Sequence, residues 1–312
     1  MCKCKYIRME ENTFSQVGIL SLPGRIDLSQ VVEQTPELCL EAVRQDGLNL
    51  KYVKNQTAKI CLEAVYEDGL ALEFVKEQDV TICLAAIQRN PYALEFVQKQ
   101  TPELCLLAVE QDSLTLQYVQ SQTPELCLLA VKRDGQALRF VKEQTDEICM
   151  VAVQEDGLAL LYVKHQTEEI CKAAVQQEGT ALHFVQIQTP EICSMAVQNN
   201  CFALEYVKEQ TEELCYLAVQ KRGVLLRLVK NQTPEICAVA VQQYGTALQF
   251  VRNQTPELCL LAVQQNGWAL EFVQEQTFLI CLVAIQQDTD AFMFVNEEFQ
   301  ESLRPYLYML EN

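Results

Sequence analysis

Apolar positions along this chain recur in two alternating groups. From Gln34 to Glu297 a phrase of 22 residues returns without insertion or deletion: Gln-Thr-Pro-Glu-Leu/Ile-Cys-x-x-Ala-Val, a turn residue, then Ala-Leu-x-Phe/Tyr-Val. Counted from the Gln as position 1, Cys recurs at position 6 from Cys39 to Cys281 and Ala at position 9 from Ala42 to Ala284. At about 100° per residue, positions 5, 6, 9 and 10 share one side of a helix, so Leu/Ile, Cys, Ala and Val form its buried face. In the repeat beginning at Gln122, Thr123 is a natural N-cap, Pro124 suits the first helical position, and Glu125 places negative charge at the positive end of the helix. Gly135 then predicts the stop, through the left-handed conformation open to glycine. A second short helix carries Ala137, Leu138, Phe140 and Val141 inward, with variable residues such as Glu73, Arg139, His183 and Gln249 on the outer face.

Each repeat therefore reads as a helical hairpin that can bury its apolar face only against its neighbours. The predicted fold is all-α, an α-solenoid of tandem 22-residue helical hairpins with no β-sheet. Residues 1–33 read as a tail and N-terminal cap, 34–297 as twelve repeats, and 298–312 as a C-terminal cap. Ile26, Leu28 and Val31 echo the second-helix pattern in the first cap. Phe299, Leu303, Tyr306 and Leu307 form a short amphipathic segment in the other, interrupted at Pro305. The unvarying Ala predicts close helix approach, so that Ala130→Leu costs about 1 to 3 kcal/mol by overpacking. The unvarying Gln is read as a partner for backbone groups left free between helices, ahead of a recognition ladder.

Composition narrows the chemistry. No apolar run approaches the ~20 residues of a membrane span, and the start of the chain has no apolar stretch of secretory type. Of the fifteen cysteines, the twelve at position 6 are one helix-packing distance apart, about 8 to 10 Å, where a disulfide needs Cα atoms within about 7 Å. They are expected to be reduced, buried small hydrophobes, which implies a reducing compartment. One thiol per repeat does not converge into a tetrahedral metal site, and no cofactor motif is present. Cys2 and Cys4 are assigned to an unstructured tail. Cys201, standing where most repeats have Gly, is the ladder's exception and is expected among the first thiols to react.

With 24 basic against 42 acidic residues, the net charge of −18 argues against direct nucleic-acid binding and for a protein or peptide partner, a basic one in particular. Position 4 is Glu in most repeats, and Glu147, Glu169 and Glu191 form the middle of that row. A basic row at position 21, including Lys54, Lys76, Lys208, Lys230 and Arg252, is read as pairing with it or serving helix ends. Apolar residues at positions 7 and 8 are broken by Lys172 and include Tyr216, while Trp268 opens a second helix. Lys172, Tyr216 and Trp268 join the three glutamates as candidate partner contacts. Catalysis has little to work with, since His165 and His183 have no nucleophile or carboxylate spaced to converge on them. The expected function is a non-enzymatic repeat scaffold that binds a protein or peptide. The alternative is an acidic nucleic-acid mimic that sequesters a DNA-binding protein.

The segments Gln122-Thr-Pro-Glu-Leu-Cys-Leu-Leu-Ala-Val131 and Gly135-Gln-Ala-Leu-Arg-Phe-Val141 resemble the tandem-repeat family known as domain of unknown function number 4116. The resemblance spans residues 34 to 297. It implies an all-helical repeat scaffold with no assigned activity, of a kind found in large DNA viruses and in bacteria, some of them host-associated. The localisation it suggests is cytoplasmic, or delivery into a host cytosol. The repeats with Asp79-Val80-Thr81 and Pro91, and with Phe278-Leu279 and Asp288-Thr289, depart most from the pattern.

Overall fold

A computed structural model describes residues 20–22 and 25–311. Cys2 and Cys4 lie outside them. The chain divides between Glu143 and Gln144 into two compact units, the first holding repeats 1–5 and the second repeats 6–12.

The first unit contains α1 (Pro36–Gln45), α2 (Ala58–Glu67), α3 (Val80–Arg89), α4 (Pro102–Gln111) and α5 (Pro124–Arg133). The second contains α6 (Asp146–Glu155), α7 (Glu168–Gln177), α8 (Pro190–Asn199), α9 (Glu212–Lys221), α10 (Pro234–Gln243), α11 (Pro256–Gln265), α12 (Phe278–Gln287) and a terminal α13 (Glu297–Glu311). Every repeat helix α1–α12 is followed by a six-residue helix, from Gly47–Tyr52 to Thr289–Phe294. Within each unit, α-helices pack on the α-helices of adjacent repeats and the six-residue helices on one another, so each unit is a two-layered helical solenoid.

The starts of the α-helices match the sequence reading. Thr123 Oγ1 accepts from the Leu126 amide, Pro124 opens α5 and Glu125 lies in its first turn. The second helix differs from the αα-hairpin expectation, because it is a 3-10 helix. Only one residue, at position 13, separates the two helices, and it serves both. The Asp134 amide closes α5 on Ala130 O, while its carboxylate accepts from the Gln136 amide at the start of the 3-10 turn. A 3-10 helix advances about 2.0 Å per residue against 1.5 Å for an α-helix, so six residues cross back to the next repeat.

The glycine at position 14 has a different purpose from the one expected. The helix stop is made by Asp134 in extended conformation, φ −151°, and no position-14 glycine with a described neighbour has a left-handed φ. What matters is proximity: a Cβ on Gly245 would lie 2.4 Å from Ala262 O, and one on Gly69 2.5 Å from Ala86 O. The loop of each repeat thus touches the carbonyl of the invariant Ala one repeat later. Position 14 carries a side chain at Pro91, Ser113, Cys201 and Thr289; at the first three, the repeat α-helices on either side (α3–α4, α4–α5, α8–α9) approach over a shorter stretch than the other neighbouring repeat helices within each unit. Ser113 and Cys201 are themselves buried.

The position-1 Gln is structural. Gln100 Nε2 donates to Leu94 O of the preceding repeat at 3.2 Å and to Tyr118 O of its own at 2.8 Å. Its Oε1 accepts from the Gln120 amide at 2.9 Å and faces the Cys105 thiol at 3.5 Å. One amide therefore joins two repeats and closes one, and the same bonds recur at Gln122, Gln188, Gln210, Gln232 and Gln254. Ala at position 9 and Val or Ile at position 10 are fully buried throughout, as is Leu at position 17 in the first eleven repeats; in the twelfth that position is Phe292, half-buried. The aromatic at position 19, expected inside, is half-buried in nearly every repeat.

Both ends of the described chain depart from expectation. An antiparallel pair, β1 (Leu20–Leu22) with β2 (Arg25–Ile26), places Leu20 opposite Ile26. The expectation of no sheet overlooked the period-two alternation of Leu20-Ser21-Leu22. Leu28 and Val31, which follow it, are buried. At the other end, α13 runs through Pro305 instead of breaking there, with Leu303 buried.

Two substitutions test these contacts by thermal or denaturant unfolding. Gly245→Ala should cost about 1 to 3 kcal/mol, because the Cβ meets backbone that cannot turn aside. A neutral result would mean that the close approach at Ala262 is not a constraint. Gln100→Leu leaves the Tyr118 carbonyl and the Gln120 amide without partners and should cost about 2 kcal/mol or more, with the loss confined to stability.

Candidate interaction surfaces

Three groups of exposed features could meet a partner: the N-terminal edge of the α-helices, the ends of the 3-10 helices, and the outer face of the 3-10 layer.

On the α-helix edge, Glu147, Glu169 and Glu191 occupy the first turns of α6, α7 and α8 and are all exposed. Lys172 sits among them. Its Nζ pairs with Glu191 of the next repeat at 2.7 Å and with Glu168 at 3.0 Å. Hydrogen bonds to Glu191 and then Glu168 push its pKa up to about 12. Lys172 is therefore a clamp inside the acidic row. Tyr216 is on α9 and 40% exposed. Shallow clefts lie between the starts of successive α-helices. One of about 390 Å³ between repeats 10 and 11 is lined by Thr233, Pro234, Cys237, Leu258 and Leu261, with Glu257 at its rim. A cleft of about 360 Å³ uses the same repeat positions between repeats 4 and 5, including Pro102, Leu106, Glu125 and Leu126.

Lys76, Lys208 and Arg252 of the basic row donate to backbone carbonyls. Lys76 Nζ donates to Lys54 O at 3.0 Å, Lys208 Nζ to Gln186 O at 2.9 Å, and the Arg252 guanidinium to Lys230 O at 2.6 Å. Each cation reaches back one repeat to the position-21 carbonyl, two residues past the end of the preceding 3-10 helix, where positive charge is also favoured by the helix dipole. A second amide ladder was missed in the sequence. Gln177, Asn199, Gln243 and Gln265, at position 12, accept from the glycine amide of the preceding repeat, with Gly157 N to Gln177 Oε1 at 2.8 Å. Its signal was the recurrence of Gln or Asn at that position in the second unit.

Trp268 is not on the α-helix edge. It begins the 3-10 helix Gly267–Phe272, packs edge to face on Phe294 with ring centres 5.5 Å apart, and donates from Nε1 to Asp288 Oδ2 at 2.8 Å. The six candidate contacts therefore do not form one site: five lie on α-helices and Trp268 on the other layer. His183 packs against Phe184 and Tyr206, with ring centres 4.9 and 4.8 Å away.

All thirteen described cysteines are buried and unpaired. Cys201, expected to be exposed and reactive, is only 9% exposed, because position 14 faces the next repeat. Among the described residues no cluster of three or more His, Cys, Asp or Glu could hold a metal ion. No described helix is long and apolar enough to cross a membrane. No family model, curated protein or solved structure matches the chain.

Burial pushes the ladder thiols above their ordinary value, Cys281 to about 11. A group held protonated in the folded state contributes stability below its unfolded pKa, about 8.5 for a thiol, and loses it as pH rises through the folded value. The denaturant midpoint should accordingly fall as pH rises from about 8.5 to 11, and at pH 8 a thiol reagent should label Cys201 as slowly as the ladder. Rapid labelling of Cys201 would contradict its placement.

Proposed function

We propose that this chain is a non-enzymatic repeat scaffold that binds a protein or peptide partner along its surface, and that its repeats belong with the tandem-repeat family they resemble. The observation that carries this reading is the division of labour within each repeat. The unvarying residues are spent internally, on the Gln bonds, the Thr caps, the Gly–Ala approach and the buried Cys, and no buried side-chain nitrogen or oxygen among the described residues lacks a hydrogen-bond partner. The variable residues are left to the surface, where clefts recur at equivalent positions between helix starts.

Within one unit, an extended segment laid along these starts would meet an apolar cleft with a carboxylate beside it, at repeats 4–5 in the first unit or at repeats 10–11 in the second. That arrangement favours a partner with interspersed apolar and basic side chains, and the net charge of −18 would steer its approach. His183 is on the 3-10 helix Gly179–Phe184 and His165 in the bend after Gly157–Tyr162, in different repeats, and they offer no base–nucleophile pair. The nucleic-acid mimic gains nothing from the acidic edge, because Lys172 neutralises the middle of the row that would have to imitate phosphates.

Affinity capture from a lysate at low and high salt tests the proposal. A protein partner should be retained and should weaken as salt rises. The triple reversal of Glu147, Glu169 and Glu191 to Lys should reduce its association about tenfold. Reproducibly empty capture together with turnover of a small molecule would refute the scaffold. Competition by duplex DNA for the retained protein would transfer the assignment to the mimic.

A further inference from the structure

The outer face of the 3-10 layer carries a construction that is built twice and, at a third place, is already filled by the chain itself. In a 3-10 helix residues three apart eclipse one another, so positions 15 and 18 of each repeat share a face. In repeat 11 these are Trp268 and Glu271, and in repeat 3 Tyr92 and Glu95. Each of the two aromatics is tethered from the following repeat by a position-13 aspartate. Trp268 Nε1 donates to Asp288 Oδ2 at 2.8 Å, and the Tyr92 hydroxyl to Asp112 Oδ2 at 2.8 Å. Each packs edge to face against the next position-19 ring, Phe294 at 5.5 Å and Tyr118 at 6.1 Å. The result is a fixed aromatic surface with one carboxylate from each of two repeats.

The third instance is in repeat 8, where Phe202 and Glu205 hold the same two positions. Position 13 of the following repeat is Arg222 in place of an aspartate. Arginine cannot cap the 3-10 helix, and it makes no side-chain cap bond. Its guanidinium instead lies over the Phe202 ring, 5.3 Å from the centre. The same layer holds two further cation–ring contacts of a different kind, between adjacent residues at positions 18 and 19: Arg139 over Phe140 and Lys51 over Tyr52, each at 4.7 Å. The ring at position 15 is thus a seat for a cation, occupied from within at Phe202. At Trp268 the chain supplies a carboxylate where Arg222 would stand, and leaves the indole 40% exposed.

We infer that Trp268, with Glu271 and Asp288, is a docking site for an arginine side chain of a protein partner, and that Tyr92, Glu95 and Asp112 form its counterpart in the first unit. Arginine fits better than lysine, since its planar guanidinium stacks on a ring while its edge donates to carboxylates. Indole is the strongest of the aromatic faces for a cation. The inference rests on the scaffold reading and adds to it the partner's chemistry and a second contact face.

Trp268 is the chain's single tryptophan, so its fluorescence reports on this site alone. The full chain is titrated with a fluorescently labelled peptide of alternating arginine and serine, with a lysine version, and with a version carrying neutral citrulline for arginine. The arginine peptide should change the Trp268 emission saturably, the lysine peptide more weakly, and the citrulline peptide not at all. Glu271→Gln with Asp288→Asn keeps the hydrogen-bond acceptors and should weaken arginine binding about tenfold. The charge-matched pair Glu209→Gln with Glu275→Gln should weaken it less than about twofold, since those carboxylates are at position 22, outside the 3-10 helices that carry the ring and Glu271. Circular dichroism establishes that both double variants are folded. Equal weakening by the two pairs, unchanged emission while the labelled peptide binds, or no binding of the arginine peptide would each overturn the inference. None of these outcomes touches the scaffold reading, which stands or falls on the capture of a protein from lysate.

Discussion

Each repeat depends on one side-chain amide. The primary amide of the position-1 Gln has two donors and an acceptor with two lone pairs, and it stands where a 3-10 helix of one repeat gives way to the α-helix of the next. At that junction the last carbonyl of the 3-10 helix, at position 19, and the amide at position 21 have no helical partner. Gln100 bonds Leu94 O, Tyr118 O and the Gln120 amide, so it satisfies groups from two repeats at once. A shorter amide could not reach, and a carboxylate could not donate. The Cys105 thiol completes the arrangement as a small, weak donor to the same oxygen. The cysteine ladder is thereby explained by packing and a polar neighbour, with no need of redox or metal chemistry.

The second constraint is distance. With no Cβ at position 14, the loop of one repeat can rest on the Ala carbonyl of the next, and the invariant Ala keeps that helix face flat. Gly69 over Ala86 O and Gly245 over Ala262 O show how little room there is. Pro91, Ser113 and Cys201 show the consequence of refilling it, since the α-helices beside them run together over a shorter stretch. Close packing is a property of neighbours, so a change at one position 14 is felt one repeat later.

Charge in this protein is largely local. Lys76, Lys208 and Arg252 donate to carbonyls two residues past the preceding 3-10 helices, and Lys172 holds Glu168 and Glu191. What remains for a partner is the acidic excess that these contacts do not absorb, together with the aromatics that the core leaves half-covered. Position 19 is such a place, because its ring is half-buried in nearly every repeat.

The repeat length, the α-helix of each repeat, its Thr cap and its buried Ala, Val and Cys positions were all legible in the sequence, because they depend on spacing within about ten residues and on the apolar period of a single helix. So was the structural use of Gln, from its recurrence where helices meet. The 3-10 form of the second helix was not legible: it depends on how far six residues must reach between Asp134 and the next repeat. Nor was the real reason for glycine, which lies in an Ala carbonyl of the following repeat and not in its own φ. Lys76, Lys208 and Arg252 looked like partners for glutamates because sequence shows charge but not which carbonyl lies within reach. Cys201 looked exposed because its position resembles a turn. Trp268 was correctly singled out but grouped with Glu147 and Glu191, residues of the other layer. Only tertiary structure could place it beside Asp288 and Phe294, since those contacts join side chains twenty or more residues apart in the chain.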